Sequence, residues 1–199
     1  VNARAEILQR IRAALAQAPD VVEVSRDYEM SLPGVDLVEL FAERVGDYRA
    51  KVVRVPADSL SAAIAAELEA AGIRRVVTPP DLPEGWVPSA IVDGPLSVSE
   101  LDTMHGVVTG CAVGIAETGT IVLDAGVHQG RRAITLIPDF HLCVVRVDQI
   151  VGTVPEAIAG LDQRRPLTWI SGPSATSDIE LKRVEGVHGP RTLVVLIAE

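Results

Sequence analysis

The sequence predicts an α/β fold, and three observations carry that prediction. Hydrophobic residues make up 48% of the 199-residue chain but aromatics only 3%, so the core has to be built from Val, Ile, Leu and Ala. Val and Ile are stiff at χ1 and favour strands, Ala and Leu favour helices, and a chain rich in both suits helices layered on sheet. The order strand, helix, strand follows over residues 51–78, and a succession of short strand candidates fills residues 107–147.

The elements can be justified in order. Residues 3–16 read as a helix with Ile7, Leu8, Ile11 and Leu15 on one face, ended by Pro19. Residues 17–33 are mixed and irregular, so residues 1–33 form an N-terminal amphipathic arm ahead of one α/β domain over 34–199. Residues 35–47 are helical. Lys51–Val55 is a short apolar run bounded by Pro56, a strand. Leu60, Ile64 and Leu68 recur at helical spacing within 57–71, and Gly72 supplies the stop. Arg74–Thr78 is the next strand, which implies a parallel pair with Lys51–Val55 joined by a right-handed crossover. A Pro-rich loop over 79–88 precedes a strand at Ser89–Val92. Strand candidates then crowd together at Val107–Thr109, Ala112–Ala116, Thr120–Asp124, Ala133–Ile137 and His141–Val147, which implies antiparallel or mixed pairing. A last crossover helix at 153–162, a strand at Leu167–Ser171, a helical stretch at 178–182 and a final strand at Thr192–Ile197 complete the chain.

Composition excludes several classes of function. A net charge of −9 disfavours nonspecific nucleic-acid binding, which needs clustered Lys and Arg. Cys111 and Cys143 are the only two cysteines. They are too few for an iron–sulfur cluster, which takes four thiolates, and too few for a disulfide scaffold, which points to a reducing cytoplasm. The first residues are charged and contain no apolar signal core. No apolar run approaches the roughly 18 residues of a membrane span.

Two segments carry chemical interest. In residues 110–126, Glu117-Thr118-Gly119-Thr120 interrupts two apolar runs. It reads either as a hairpin turn, which the spacing favours, or as a carboxylate and two hydroxyls presented at a strand end. In residues 170–197, an apolar strand runs into Gly172-Pro173-Ser174-Ala175-Thr176-Ser177-Asp178. That loop of small and hydroxylated residues opens a helix, and it reads either as an anion cradle or as simple capping. Glu180 and Arg183 are three apart and could pair on one helical face. His188 stands among the turn residues Gly186, Gly189 and Pro190. His105, His128 and His141 are scattered, without metal-ligand spacing. Arg131-Arg132 forms a short basic turn, either solvated or facing an anion. Neither a phosphate loop of the GxxxxGK[ST] type nor a GxGxxG dinucleotide fingerprint is present.

Glu117–Thr120 together with Thr176-Ser177-Asp178-Ile179-Glu180 and Gly186-Val187-His188-Gly189-Pro190 resembles the LUD domain family. The resemblance runs from about residue 35 to the end. In size and in its lack of cluster cysteines the chain resembles the C-subunit branch of that family. The resemblance implies a three-layer sandwich with a mixed, mainly parallel sheet akin to the NagB/RpiA/CoA-transferase group. It also implies a small anionic substrate at the carboxyl ends of the strands, which agrees with the crevice rule for open α/β sheets. It implies participation, with two iron–sulfur partner subunits, in oxidising L-lactate to pyruvate. The clusters are expected in those partners and no cofactor or metal in this chain. On the family's motifs, Glu117 and His188 are the candidate catalytic residues. Thr118, Gly119, Thr120, Ser174, Thr176, Ser177, Asp178, Glu180, Arg183 and Gly189 are the candidate substrate-binding residues. Two other readings stay open: a stand-alone enzyme or binding protein for a phosphorylated or CoA-linked metabolite, and a noncatalytic assembly module that uses the N-terminal arm.

Overall fold

The two longest strands, Phe140–Arg146 and Thr192–Ala198, are apolar almost throughout, and in the structure they lie side by side. The computed structural model describes residues 3–16, 23–176 and 184–199. In chain order its elements are α1 (Ala3–Leu15), α2 (Leu37–Asp47), β1 (Lys51–Val55), α3 (Leu60–Ala70), β2 (Val76–Thr78), β3 (Ile91–Val92), α4 (Val98–Asp102), β4 (Gly106–Thr109), β5 (Val113–Ile115), β6 (Thr120–Leu123), β7 (Phe140–Arg146), β8 (Ile150–Val151), α5 (Val154–Gly160), β9 (Thr168–Ile170), β10 (Ala175–Thr176), β11 (Val184–Glu185) and β12 (Thr192–Ala198). The predicted helical stretch at 178–182 lies outside the described residues.

This is an α/β fold whose pairing is mainly parallel. The central sheet has the order β1-β12-β7-β4-β2-β3, and every pair in it is parallel. Antiparallel pairing is segregated elsewhere. A four-stranded sheet, β8-β5-β6-β9, contains the β5–β6 hairpin, and β10 pairs with β11.

Period-two alternation on the central strands decides the layers. On β7 and β12, Leu142, Val144, Val194 and Leu196 face α3, where they meet Leu60, Ile64 and Leu68. Cys143, Val145, Leu193, Val195 and Ile197 face the opposite way, toward Phe41 and Val45 of α2 and Ile121 and Leu123 of β6. The small sheet therefore shares a layer with α2. Its far face, through Val113, Ile115 and Val122, packs on Ala157 of α5. Strands buried on both sides read as continuous apolar runs, as β7 and β12 do.

Two expectations need correction. The strands at 51–55 and 76–78 are parallel members of one sheet but do not pair, because β12, β7 and β4 lie between them. The sequence between them fixed their direction, not their neighbours. β7 and β12 can bury both faces, so they take the middle of the sheet, while half-exposed β1 takes an edge. Ala133–Ile137 is not a strand: Arg132–Thr135 is a 3-10 turn. Ala133, Ile134 and Ile137 stand at helical spacing and pack on Val77, Leu101 and Val107. The Ile137 N–H donates to the Ala133 carbonyl at 3.2 Å, and Pro138 then prevents the turn from continuing.

The N-terminal arm has two parts. α1 buries no residue. Further along, the Thr153 hydroxyl donates to the Glu29 carbonyl at 3.2 Å, and Leu32 lies against Gly152, so residues 29–32 run over the start of α5. Among the described residues no helix is long and apolar enough to cross a membrane.

Candidate functional site: a cationic cavity at the amino ends of β7 and β12

Glu117, Thr118 and Gly119 form the β5–β6 turn, and Thr120 begins β6. Gly119 has φ +58, and a Cβ there would lie 2.5 Å from the Arg44 carbonyl carbon. The turn is thus pressed against the end of α2 where no side chain fits. Exposed Glu117 accepts a hydrogen bond from the Val154 N–H at 2.7 Å, holding an otherwise unpaired amide of the first turn of α5. The turn also starts a row of hydroxyls. The Thr118 hydroxyl donates to Thr120 Oγ1 at 2.8 Å, and Thr120 Oγ1 lies 2.8 Å from Ser171 Oγ.

Ser171 is where that row reaches a cavity of about 310 Å³. Gly172, at φ +79, turns the chain immediately after it, and a Cβ there would lie 2.5 Å from Tyr48 Cβ. The two loops that flank the cavity are laced together. The Ser174 N–H donates to the Pro190 carbonyl at 2.9 Å, Gly186 N–H to the Ser174 carbonyl at 2.8 Å, and His188 N–H to Ser174 Oγ at 2.8 Å. His141, at the start of β7, and Leu193, at the start of β12, belong to the wall, so the cavity opens at the amino ends of these strands.

Among the described residues the charged lining of the cavity is basic: Arg132, His141 and His188 line it together with Thr135, Ser171 and Ser174, and none of its described lining residues is acidic. Among the described residues no carboxylate pairs with the Arg132 guanidinium. Its neighbour Arg131 behaves differently. It donates to both oxygens of buried Asp93, at 2.6 and 2.8 Å, and to the Leu96 carbonyl, and this holds the Asp93 carboxyl below its ordinary range. The basic turn therefore divides into one structural and one available cation.

A larger cavity, about 590 Å³, lies at the carboxyl ends of β4 and β7. Its two guanidinium groups are already engaged. Arg165 donates to Asp124 at 2.7 Å, and Arg146 to Asp148 at 2.9 and 3.2 Å, which lowers the Asp148 carboxyl. Cys111 lines this cavity, while Cys143 lies next to it in the core. The interaction with Cys143, together with burial, raises the Cys111 thiol well above its ordinary range, while the interaction with Cys111 outweighs burial and lowers the Cys143 thiol.

Of the residues predicted from sequence, Ser174, His188 and Gly189 line the amino-end cavity. Thr118 and Thr120 connect to it through Ser171, whereas Glu117 and Gly119 serve the hairpin and its neighbours. Thr176 sits on β10. Ser177, Asp178, Glu180 and Arg183 lie outside the described residues. None of the described predicted residues lines the carboxyl-end cavity, where the family resemblance placed the substrate. Sequence reasoning missed Arg132 and His141 as site residues. The signals were a basic pair in a turn and an imidazole inside an otherwise apolar strand.

Comparison with known proteins agrees with the sequence signatures. The family model described as LUD domain matches residues 99–198. The chain is 47% identical to lactate utilization protein C of Deinococcus radiodurans, over 98% of this chain and 95% of that protein. It is 24% identical to lactate utilization protein C of Geobacillus kaustophilus, over 99% of this chain and 96% of that one. A crystal structure of a DUF162 family protein from Deinococcus radiodurans superposes with a TM-score of 0.70 at 46% identity, covering 82% of this chain and 96% of that chain.

Proposed function

The chain belongs to the LUD domain family, and on that premise we propose that it serves lactate utilization as the C-type subunit of an assembly that oxidises L-lactate to pyruvate. Its own contribution is to bind the small carboxylate in the amino-end cavity, and two iron–sulfur proteins are its partners. The observation that supports the binding role is the charge of the described lining: among the described residues Arg132 has no acidic partner, it stands with two histidines, and no carboxylate lines the cavity. In a chain of net charge −9 such a wall selects an anion, and its volume of about 310 Å³ suits a ligand the size of a small organic acid. A guanidinium offers a carboxylate two parallel donors, which fixes orientation as well as position.

The chain's two cysteines are buried in or beside the core and do not fit a cluster that takes four thiolates, so the electron carriers of the proposed assembly belong to its partners. His188, whose N–H donates to Ser174 Oγ and which lines the cavity, is the histidine proposed to contact the ligand. Glu117 stays engaged at α5 and acts on the hairpin rather than on the substrate. The relationship to the NagB/RpiA/CoA-transferase group is part of the same proposal. It is supported by the open parallel sheet with helices on both faces.

The test is lactate-dependent dye reduction by the anaerobically reconstituted iron–sulfur partners, with and without this chain. Activity that requires the chain, together with calorimetric binding of L-lactate or pyruvate to it, is the expected result. Equal activity without it would overturn the reading. Thermal stabilisation by sugar phosphates or acyl-CoAs, with none by lactate, would point instead to a separate metabolite-binding role.

A further inference from the structure

The layer between the central sheet and α2 is aliphatic except for one string of polar side chains. His141 and Thr109 are 1% and 0% exposed, and the Thr109 hydroxyl lies 2.8 Å from His141 Nε2. β4 and β7 are in register there, Val107 beside His141 and Thr109 beside Cys143. Cys143 follows two residues on along β7, its Sγ 3.6 Å from the Gly110 carbonyl oxygen, and Cys111 Sγ lies 3.8 Å from Gln149 Oε1. An imidazole that is 1% exposed, beside Leu193 on the neighbouring strand, is costly unless its nitrogens are engaged. One of them is engaged by Thr109, yet His141 also forms part of the wall of the cationic cavity.

We propose that His141 is the specificity-determining residue of that cavity: its ring, pinned at Nε2 by Thr109, presents Nδ1 to the 2-hydroxyl or 2-oxo group of a bound 2-substituted carboxylate. The inference rests on the carboxylate-binding reading above and adds a second recognition point to it. The carboxylate meets Arg132 and the loop carrying His188 at the rim, while the 2-oxygen reaches the imidazole at the floor. Thr109 is a positioning residue in this arrangement. It fixes the orientation of the ring, and because a hydroxyl can donate or accept, Nδ1 can meet the ligand oxygen either as a donor or as an acceptor. A site built to hydrogen-bond a ligand oxygen rejects the analogue that lacks it, because the buried polar group is left without a partner.

The experiment compares the full chain's affinity for L-lactate with that for propionate, which has the same carboxylate and carbon count but no hydroxyl. One hydrogen bond predicts that lactate binds about tenfold tighter. His141→Phe is expected to bring the two affinities together, closing the roughly tenfold preference for lactate. Thr109→Val, close in shape but without the hydroxyl, should narrow the gap, and Thr109→Ser should restore it. The ¹⁵N shifts of the His141 ring in the wild-type chain give a readout that survives even if a variant fails to fold: they should respond to lactate and not to propionate. Equal wild-type affinities that both fall in Arg132→Gln would overturn the role of His141 and leave the carboxylate site standing. No binding of either acid would overturn both.

Discussion

Arg131 and Arg132 are adjacent in sequence but should respond oppositely to mutation, and Arg131 allows the magnitude to be worked through. Arg131→Met removes three donated hydrogen bonds, two to Asp93 and one to the Leu96 carbonyl. The Asp93 side chain is only 5% exposed, and in the variant it keeps only the Leu96 N–H, at 2.8 Å, as a donor. Breaking a buried ion pair by deleting one partner costs about 3–5 kcal/mol, because the remaining charge is left uncompensated. The Arg131 side chain is 38% exposed, so water screens the pair and the expected loss falls to about 2 kcal/mol. For a chain of this length that is a drop in Tm of about 4–8 °C. Urea denaturation at neutral pH gives the free energy and a thermal melt gives the Tm. A loss below about 0.5 kcal/mol, or an equal loss in Arg132→Gln, would refute the division of the basic turn into structural and available halves.

The same pair predicts a pH dependence. The folded-state pKa of Asp93 is lowered, first by the hydrogen bonds from Arg131 and then by the Leu96 N–H. A carboxyl whose pKa is depressed by folding contributes stability that is complete above its unfolded value, about 3.9. That stability is lost as pH falls through the lower folded value. The stability difference between wild type and Arg131→Met should therefore be constant from about pH 5 to 8 and close as the pH falls below about 4.

Arg132→Gln should leave the Tm within about 2 °C of wild type and weaken carboxylate binding at least tenfold, the lower end of what removing a charge-assisted contact does; calorimetric titration with L-lactate measures it. Gly119→Ala places a Cβ against Arg44 backbone in a left-handed conformation, and a destabilisation of about 2–4 kcal/mol in urea is expected, because the neighbour that must yield is main chain. Glu117→Ala should cost about 1 kcal/mol by freeing the Val154 N–H, whereas Glu117→Gln keeps an acceptor and should lose less than half of that. Turnover of the reconstituted complex should survive Glu117→Gln. Abolished turnover in a stable Glu117→Gln variant would return that carboxylate to catalysis.

Much of the fold was legible because its signals are local. The Lys51–Val55 run, the Leu60-Ile64-Leu68 spacing and the apolar stretches that became β7 and β12 each follow from a period that a single element imposes. What was not legible depended on partners distant in sequence. No local feature of residues 51–78 says that β12, more than a hundred residues later, will separate the two strands. Ala133–Ile137 read as a strand because a short apolar run satisfies either period, and only packing on Val77 and Leu101 settles the choice. The candidate site divides in the same way. Ser174, His188 and Gly189 belong to a contiguous motif and were visible as such, whereas Arg132 and His141 join them only through the tertiary fold.

The placement of the cavity bears on how this chain works. Open parallel sheets commonly bind ligands outside the carboxyl ends of their strands, where loops and helix amino termini converge. Here that end carries the larger cavity, but its guanidinium groups are already committed: Arg165 to Asp124 and Arg146 to Asp148. An anion taking Arg165 there would have to displace Asp124, whose side chain is 12% exposed and would lose its cation, whereas the exposed Arg146–Asp148 pair offers a weaker obstacle. At the amino-end cavity no such exchange is needed, since Arg132 has no acidic partner among the described residues. Size and sheet topology favour one cavity, electrostatics the other. For a small charged ligand, which has little apolar surface to bury, the electrostatic criterion decides. The hydroxyl row from Thr118 to Ser171 then has a physical role: it ties the family's hairpin motif to the cavity wall without requiring Glu117 to touch the ligand.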